Sequence, residues 1–206
     1  MKKNIITYGA LLILAACNPE VRSIEKKDCC ARKEEVAANP RALPSQSIFQ
    51  IPDTFETQDG LPRTLSMFAG RPTVVGMVFT HCGYACPRLT TDMKNIADSL
   101  HARGDEINFL LVSFDTKRDT PARLKVFAKE LELDEKWTLL HGNKDAVRTL
   151  SILLNVQYEE DTDGNFAHSN IISVLDKEGV LQYSKEGLEA DHSETIGMIR
   201  QMIAAN

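Results

Sequence analysis

This 206-residue chain has no long basic run, and its 24 Lys and Arg residues are outnumbered by 29 Asp and Glu. Such a balance argues against the electropositive surface that nucleic-acid binding requires. No apolar run is long enough to span a bilayer comfortably: the longest, Ile5 to Leu14, falls well short of the roughly 20 residues of a transmembrane helix. No internal repeat is present. Proline stops at Pro121, so nothing beyond that residue can form a cis-proline turn. Cysteine is scarce, with only Cys17, Cys29, Cys30, Cys82 and Cys86.

The short apolar run has its own meaning. It follows the basic stretch Met1-Lys2-Lys3-Asn4 and ends in Leu14-Ala15-Ala16-Cys17, the layout of a signal peptide. The L-A-A-C ending resembles the bacterial lipobox, which implies cleavage before Cys17 and lipidation of that cysteine. Residues 1–16 are therefore expected to be a lipoprotein signal peptide. Acyl chains on Cys17 hold a protein at a membrane surface without spanning it. Loss of Lys2 and Lys3 leaves 22 basic against 29 acidic residues, a net charge of −7. Export to an oxidising compartment means that the four remaining thiols pair as disulfides or are protected, by a metal or by a reducing partner.

Residues 17–46 lack apolar periodicity and are rich in charge, Ala, Asn and Pro, the composition of a tether. The folded domain is expected over residues 47–206. Asp59-Gly60 marks a hairpin turn. Val74 to Thr80 reads as a buried strand, and a helix follows from Pro87 to about Arg103, closed by Gly104. Ile107 to Phe114 is a second buried strand, and Asp119-Thr120-Pro121 caps the next helix. A short strand near Trp137, a helix over about 145–155, a turn at Asp163-Gly164, a hairpin of strands 171–175 and 180–183, and a last helix over about 193–204 complete the order. Strands alternating with helices predict an α/β domain with a central mixed sheet flanked by helices. The order is compatible with a thioredoxin-like fold.

The chemistry concentrates in Cys82-Gly83-Tyr84-Ala85-Cys86-Pro87, at the end of the first buried strand. As thiolates, two sulfurs four residues apart are soft ligands suited to Cu(I), and a nearby imidazole completes a trigonal site. The same pair also suits a redox dithiol or a stabilising disulfide, and position alone does not separate these. Five histidines are available: His81, His101, His141, His168 and His192. His168 precedes the strand 171–175, a segment that faces the cysteine loop in a thioredoxin-like sheet. Thiol-disulfide enzymes of that fold carry a cis-proline there, which this chain cannot supply. Imidazole in that place favours metal capture. His81, beside Cys82, is the competitor, and a strand continuing through it would point its side chain away from its neighbour's.

Three motifs now resemble one family. Phe79-Thr80-His81-Cys82-Gly83-Tyr84-Ala85-Cys86-Pro87 is similar to the cysteine motif of the Sco/SenC proteins, copper proteins that assist cytochrome c oxidase assembly. Val112 to Pro121 is similar to that family's VS-x-DP-x-RDTP segment, with Thr116 where the family usually has proline. Phe166-Ala167-His168-Ser169, a strand and Asp176-Lys177-Glu178-Gly179 resemble its histidine region. The resemblance covers about residues 47–204. It implies a thioredoxin-like, copper-binding domain whose copper, as Cu(I) or Cu(II), is held by Cys82, Cys86 and His168. The function implied is a copper metallochaperone rather than an enzyme. Its expected partner is an apo cytochrome c oxidase subunit or another copper enzyme, and its domain stands in the periplasm or extracytoplasmic space on a lipid anchor. The alternative is a thiol-disulfide reductase that uses Cys82 and Cys86 as a redox dithiol on the target's copper-site cysteines. Asp115 lies near the metal loop or serves local turn chemistry. Cys29 and Cys30 stand outside the resemblance and suit a second copper ion, disulfide shuttling to Cys82 and Cys86, or no role.

Overall fold

The computed structural model describes residues 43–101 and 104–205. The leader, Cys17, Cys29 and Cys30 lie outside the described residues. No described helix is long and apolar enough to cross a membrane.

Uninterrupted aliphatic runs build the middle of the sheet. Strands β3 (Thr73–Val78) and β4 (Asn108–Ser113) are buried along almost their whole length, as strands covered on both faces must be. They pair in parallel, Thr73 opposite Asn108 through Val78 opposite Ser113, and β4 pairs in parallel with β5 (Trp137–His141). Parallel neighbours need long crossovers, and helices α1 (Ala85–His101) and α2 (Pro121–Glu130) supply them. On one side, β1 (Thr54–Thr57) runs antiparallel to β5, with β2 (Pro62–Thr64) at the edge. On the other, β8 (Ile171–Leu175) runs antiparallel to β3 and is followed by β9 (Leu181–Glu186). The order is β2-β1-β5-β4-β3-β8-β9, a mixed sheet flanked by helices that include α3 (Lys144–Leu153) and α4 (Ser193–Ala204).

A separate two-stranded hairpin, β6 (Tyr158–Glu160) and β7 (Phe166–His168), stands beside that sheet. Sequence reasoning marked only its turn at Asp163-Gly164. Strands of three residues are too short for alternation to register, and their partly exposed pattern carries no apolar run.

Two details of this frame position the site. Helix α1 buries Cys86, Leu89, Met93, Ile96, Ala97 and Leu100, one helical face. It packs closely on β3 because Gly76 has no side chain: a Cβ there would lie 2.8 Å from the Met93 sulfur and 3.5 Å from Leu89. The second detail corrects the expected cap of α2. Thr120 alone caps that helix, its hydroxyl accepting the Arg123 N–H, and Pro121 follows as the first helical residue. Asp119 instead turns into the protein and is fully buried.

Leu89 is fully buried on the α1 face that meets β3. Leu89→Ala is expected to cost about 2–5 kcal/mol by deleting packed atoms and leaving a cavity. Urea unfolding of the reduced protein measures this.

Candidate metal centre

Each side chain of the site is delivered by a different piece of the frame. Cys82 lies in the loop after β3. Cys86 is the second residue of α1 and is fully buried, whereas Cys82 is half-buried. His168 ends β7. The antiparallel register that sets Gly76 opposite Ile172 carries the chain before Ile171 past the C-terminal end of β3, and so over the cysteine loop.

Local bonds hold the sulfurs. The Phe79 N–H donates to the Cys86 Sγ at 3.3 Å, and the Cys86 N–H donates to the Cys82 Sγ at 3.3 Å. The Cys82 sulfur therefore caps the opening turn of α1, where backbone N–H groups favour negative charge. The Cys86 Sγ lies 3.6 Å from the His168 Nε2. His168 Nδ1 lies 3.1 Å from the Ser169 carbonyl oxygen. A carbonyl only accepts, so Nδ1 donates to it, and Nε2 is the ring nitrogen that faces the sulfurs.

Packing and charge fix the hairpin that bears His168. The imidazole stands edge-on to Phe79 and 5.0 Å from Phe114, centroid to centroid. Phe114 stacks on Tyr158 at 5.1 Å and meets Phe166 at 5.0 Å, tying β6 and β7 to the end of β4. Asp115 accepts the Lys117 and Arg118 N–H groups and pairs with the Arg118 guanidinium, which also donates to the Gly164 carbonyl at the hairpin turn. Lys117 pairs with Glu160 at 2.9 Å. Asp115 thus acts through turn chemistry and a brace to the hairpin.

One atom each from Cys82, Cys86 and His168 lies within 4.8 Å of the others. Three donors about 2.0–2.3 Å from one ion stand about 3.5–4 Å apart, so the set fits a soft, three-coordinate ion with small adjustment. His81 does not join it. Its ring is about half exposed, with Nδ1 3.3 Å from the Thr80 hydroxyl and 3.6 Å from Asp119. His81, Asp115 and Asp119 form a second group of converging side chains. The carboxylates of that group are occupied by protein donors, which suits a hydrogen-bonded knot. Asp119 and the aromatic cluster are site features that sequence reading missed. The signal for Asp119 was present in the Arg118-Asp119-Thr120-Pro121 segment, where helix capping was the simpler explanation.

The two thiols are electrostatically unequal. The hydrogen bond from Cys86, aided by backbone N–H groups and against its partial burial, lowers the Cys82 thiol to about pKa 4. The same hydrogen bond and then burial push the Cys86 thiol far above its ordinary value. At neutral pH the pair holds one proton, on Cys86, and one half-buried thiolate, on Cys82.

A thioredoxin-like domain with a hydrogen-bonded dithiol at a strand–helix junction and an imidazole in reach defines a soft-donor site. The chain belongs to the SCO1/SenC family, whose profile matches residues 42–204. It is 32% identical over 92 residues to a SCO1 protein homolog of Bacillus subtilis, an alignment covering 44% of this chain and 48% of that one. The chain thus spans about half the length of that curated relative. The fold matches a SCO1/SenC family lipoprotein of Bacillus anthracis with TM-score 0.68, at 22% identity over 72% of this chain and 91% of that one. It also matches Arabidopsis thaliana ScoI with copper bound, with TM-score 0.67 at 20% identity over 75% and 97% of the two chains. BsSco, described as a member of the Sco family of cytochrome c oxidase assembly proteins, matches with TM-score 0.66 at 21% identity over 74% and 92%.

Because the Cys82 thiol is depressed, its thiolate is present above about pH 4 and is lost only below it. Iodoacetamide is therefore expected to label Cys82 at a nearly constant rate from pH 8 to pH 5, with Cys86 protected. Replacing the hydrogen-bond donor in Cys86→Ala should move the midpoint of labelling well above pH 7, as read by mass spectrometry.

Proposed function

We propose that this protein is a membrane-anchored extracytoplasmic copper metallochaperone that supplies the copper site of a cytochrome c oxidase or another copper enzyme. The observation that carries this reading is the approach of Cys82, Cys86 and His168 to within 4.8 Å of one another, with the His168 Nε2 turned to the sulfurs. Two thiolates and a neutral imidazole are the donors that select copper over hard cations. Membership of the SCO1/SenC family, the copper-bound A. thaliana relative and the assembly role stated for BsSco support it.

Copper is the cargo, and these residues would hold and release it. Cys82, half-exposed and already ionised, is the ligand that an acceptor's side chains reach first. Cys86, enclosed beneath it, must lose its proton when copper binds and take one back when copper leaves. The Phe79 N–H supports that sulfur in its charged form. His168 moves little, because its hairpin is braced by Arg118 and the aromatic cluster. Residues 1–16 act as the signal peptide, Cys17 carries the lipid, and 17–46 tether the folded domain of 47–206. The L-A-A-C ending and the description of the B. anthracis relative as a lipoprotein support that arrangement.

A second reading, thiol-disulfide reductase, rests on the inequality of the thiols. The Cys82 thiolate attacks a target disulfide, forming a mixed disulfide and releasing one target thiolate. Cys86 then attacks the Cys82 sulfur, its proton passing to the second leaving thiolate. The target gains two electrons and the Cys82–Cys86 disulfide forms.

Copper titration of the reduced protein against a chelator of known affinity separates the two. One Cu(I) per chain is expected, with Cys82→Ser, Cys86→Ser and His168→Ala each weakening retention by more than about 100-fold. Wild-type retention in His168→Ala, together with undiminished reduction of a model disulfide, would replace the metallochaperone with the reductase.

A further inference from the structure

Asp119 is a completely buried carboxylate to which the copper reading assigns no part. It sits where the ends of β3 and β4 meet, behind the cysteine loop. Its Oδ2 accepts the Thr80 N–H at 2.8 Å and the Ser113 hydroxyl at 2.6 Å, and its Oδ1 accepts the Thr80 hydroxyl at 2.6 Å. Three donors aimed at two oxygens is the pattern of an ionised group. Among the described residues no Lys or Arg pairs with it directly, and His81 stands 3.6 Å away with a half-exposed ring. The nearest guanidinium, Arg123, reaches it through Thr80: Nε donates to the Thr80 hydroxyl at 3.0 Å and Nη2 to the Thr80 carbonyl at 3.3 Å.

That carboxylate is close to the sulfurs. Thr80 N–H is bound to Asp119, and the adjacent Phe79 N–H is bound to the Cys86 Sγ. Two hydrogen bonds and one residue of backbone span at most about 10 Å. Little solvent separates the two groups, because Phe79, Thr80, Cys86 and Ser113 are all buried. A charge in such a place is weakly screened.

Charge counting then gives the effect a sign. Two thiolates and a neutral imidazole around Cu(II) have zero net charge, and around Cu(I) they have −1. A fixed negative charge nearby opposes the more negative state. The metal-free site follows the same rule: reducing the neutral Cys82–Cys86 disulfide adds two electrons, and a nearby fixed anion opposes that gain of negative charge.

We propose that Asp119 sets the redox poise of the dithiol site: its buried charge favours Cu(II) over Cu(I) and the disulfide over the dithiol, and Arg123, acting through Thr80, partly offsets it. Asp119 is a positioning and electrostatic residue, not a ligand. The copper half of the inference rests on the metallochaperone reading, and the thiol half does not.

Two measurements on the full-length protein test it. The Cu(II)/Cu(I) couple is read by potentiometric titration, and the reduced fraction of the metal-free protein is read in glutathione buffers. Asp119→Asn is expected to shift the copper equilibrium about tenfold toward Cu(I), which is about 59 mV for one electron, and to raise the reduced fraction of the metal-free dithiol. Arg123→Gln, a change on the surface of α2, should move both in the opposite direction by about threefold, the smaller size reflecting solvent screening. Ser113→Ala loosens the same network with the charge intact and should raise neither. Equal rises in Asp119→Asn and Ser113→Ala would overturn the inference in favour of a purely structural role. If Asp119→Asn does not fold, Arg123→Gln decides alone: an unchanged or raised potential overturns the proposal. Failure of the wild type to retain copper would defeat the metallochaperone reading, and the metal-free titration would still test Asp119.

Discussion

The sulfur of Cys86 is the point on which this structure turns. It is fully enclosed, it accepts the Phe79 N–H, it shares a proton with Cys82, and it faces the His168 ring. Burying a polarisable, ionisable atom there requires α1 to lie close on β3, which the bare backbone of Gly76 permits. It also requires a lid bearing an imidazole, which the β6–β7 hairpin provides. Strand, helix and hairpin therefore meet at one atom, and loosening any of them disturbs the same site.

The surroundings of that atom are arranged asymmetrically. Toward solvent lie Cys82, with its stabilised thiolate, and the half-buried His168. Toward the interior lie Phe79 and Phe114, then the knot of Thr80, Ser113 and Asp119. Such a layout gives the site an open side for exchange of ligands or electrons and a closed side that holds its shape. The half-exposed His81 belongs to neither, since its ring turns to the Thr80 hydroxyl rather than to the sulfurs.

Much of this was legible in the chain. The central strands were found within one or two residues of their ends because aliphatic runs of that length have few alternatives. The thiol spacing, the mixed sheet and the nearness of His168 to the cysteine loop followed from motif and strand order. Two things were not legible. The β6–β7 hairpin is made of three-residue strands without a periodic signal, held by Arg118 and by ring contacts between distant residues. Asp119 preceded a threonine and a proline, a good helix start, so local chemistry accounted for it completely. Only packing revealed that Thr120 suffices as the cap and that the carboxylate points inward.

The sequence by itself determined which atoms are available: two thiols four apart at a strand end, and five imidazoles. Hydrophobic periodicity and turn chemistry, which act over a handful of residues, determined the order of strands and helices around them. The tertiary structure decided which imidazole meets the thiols across 82 positions of chain, which thiol keeps the proton, and where the buried carboxylate points. Those outcomes depend on desolvation and on the approach of distant segments, quantities that no local pattern of residues encodes.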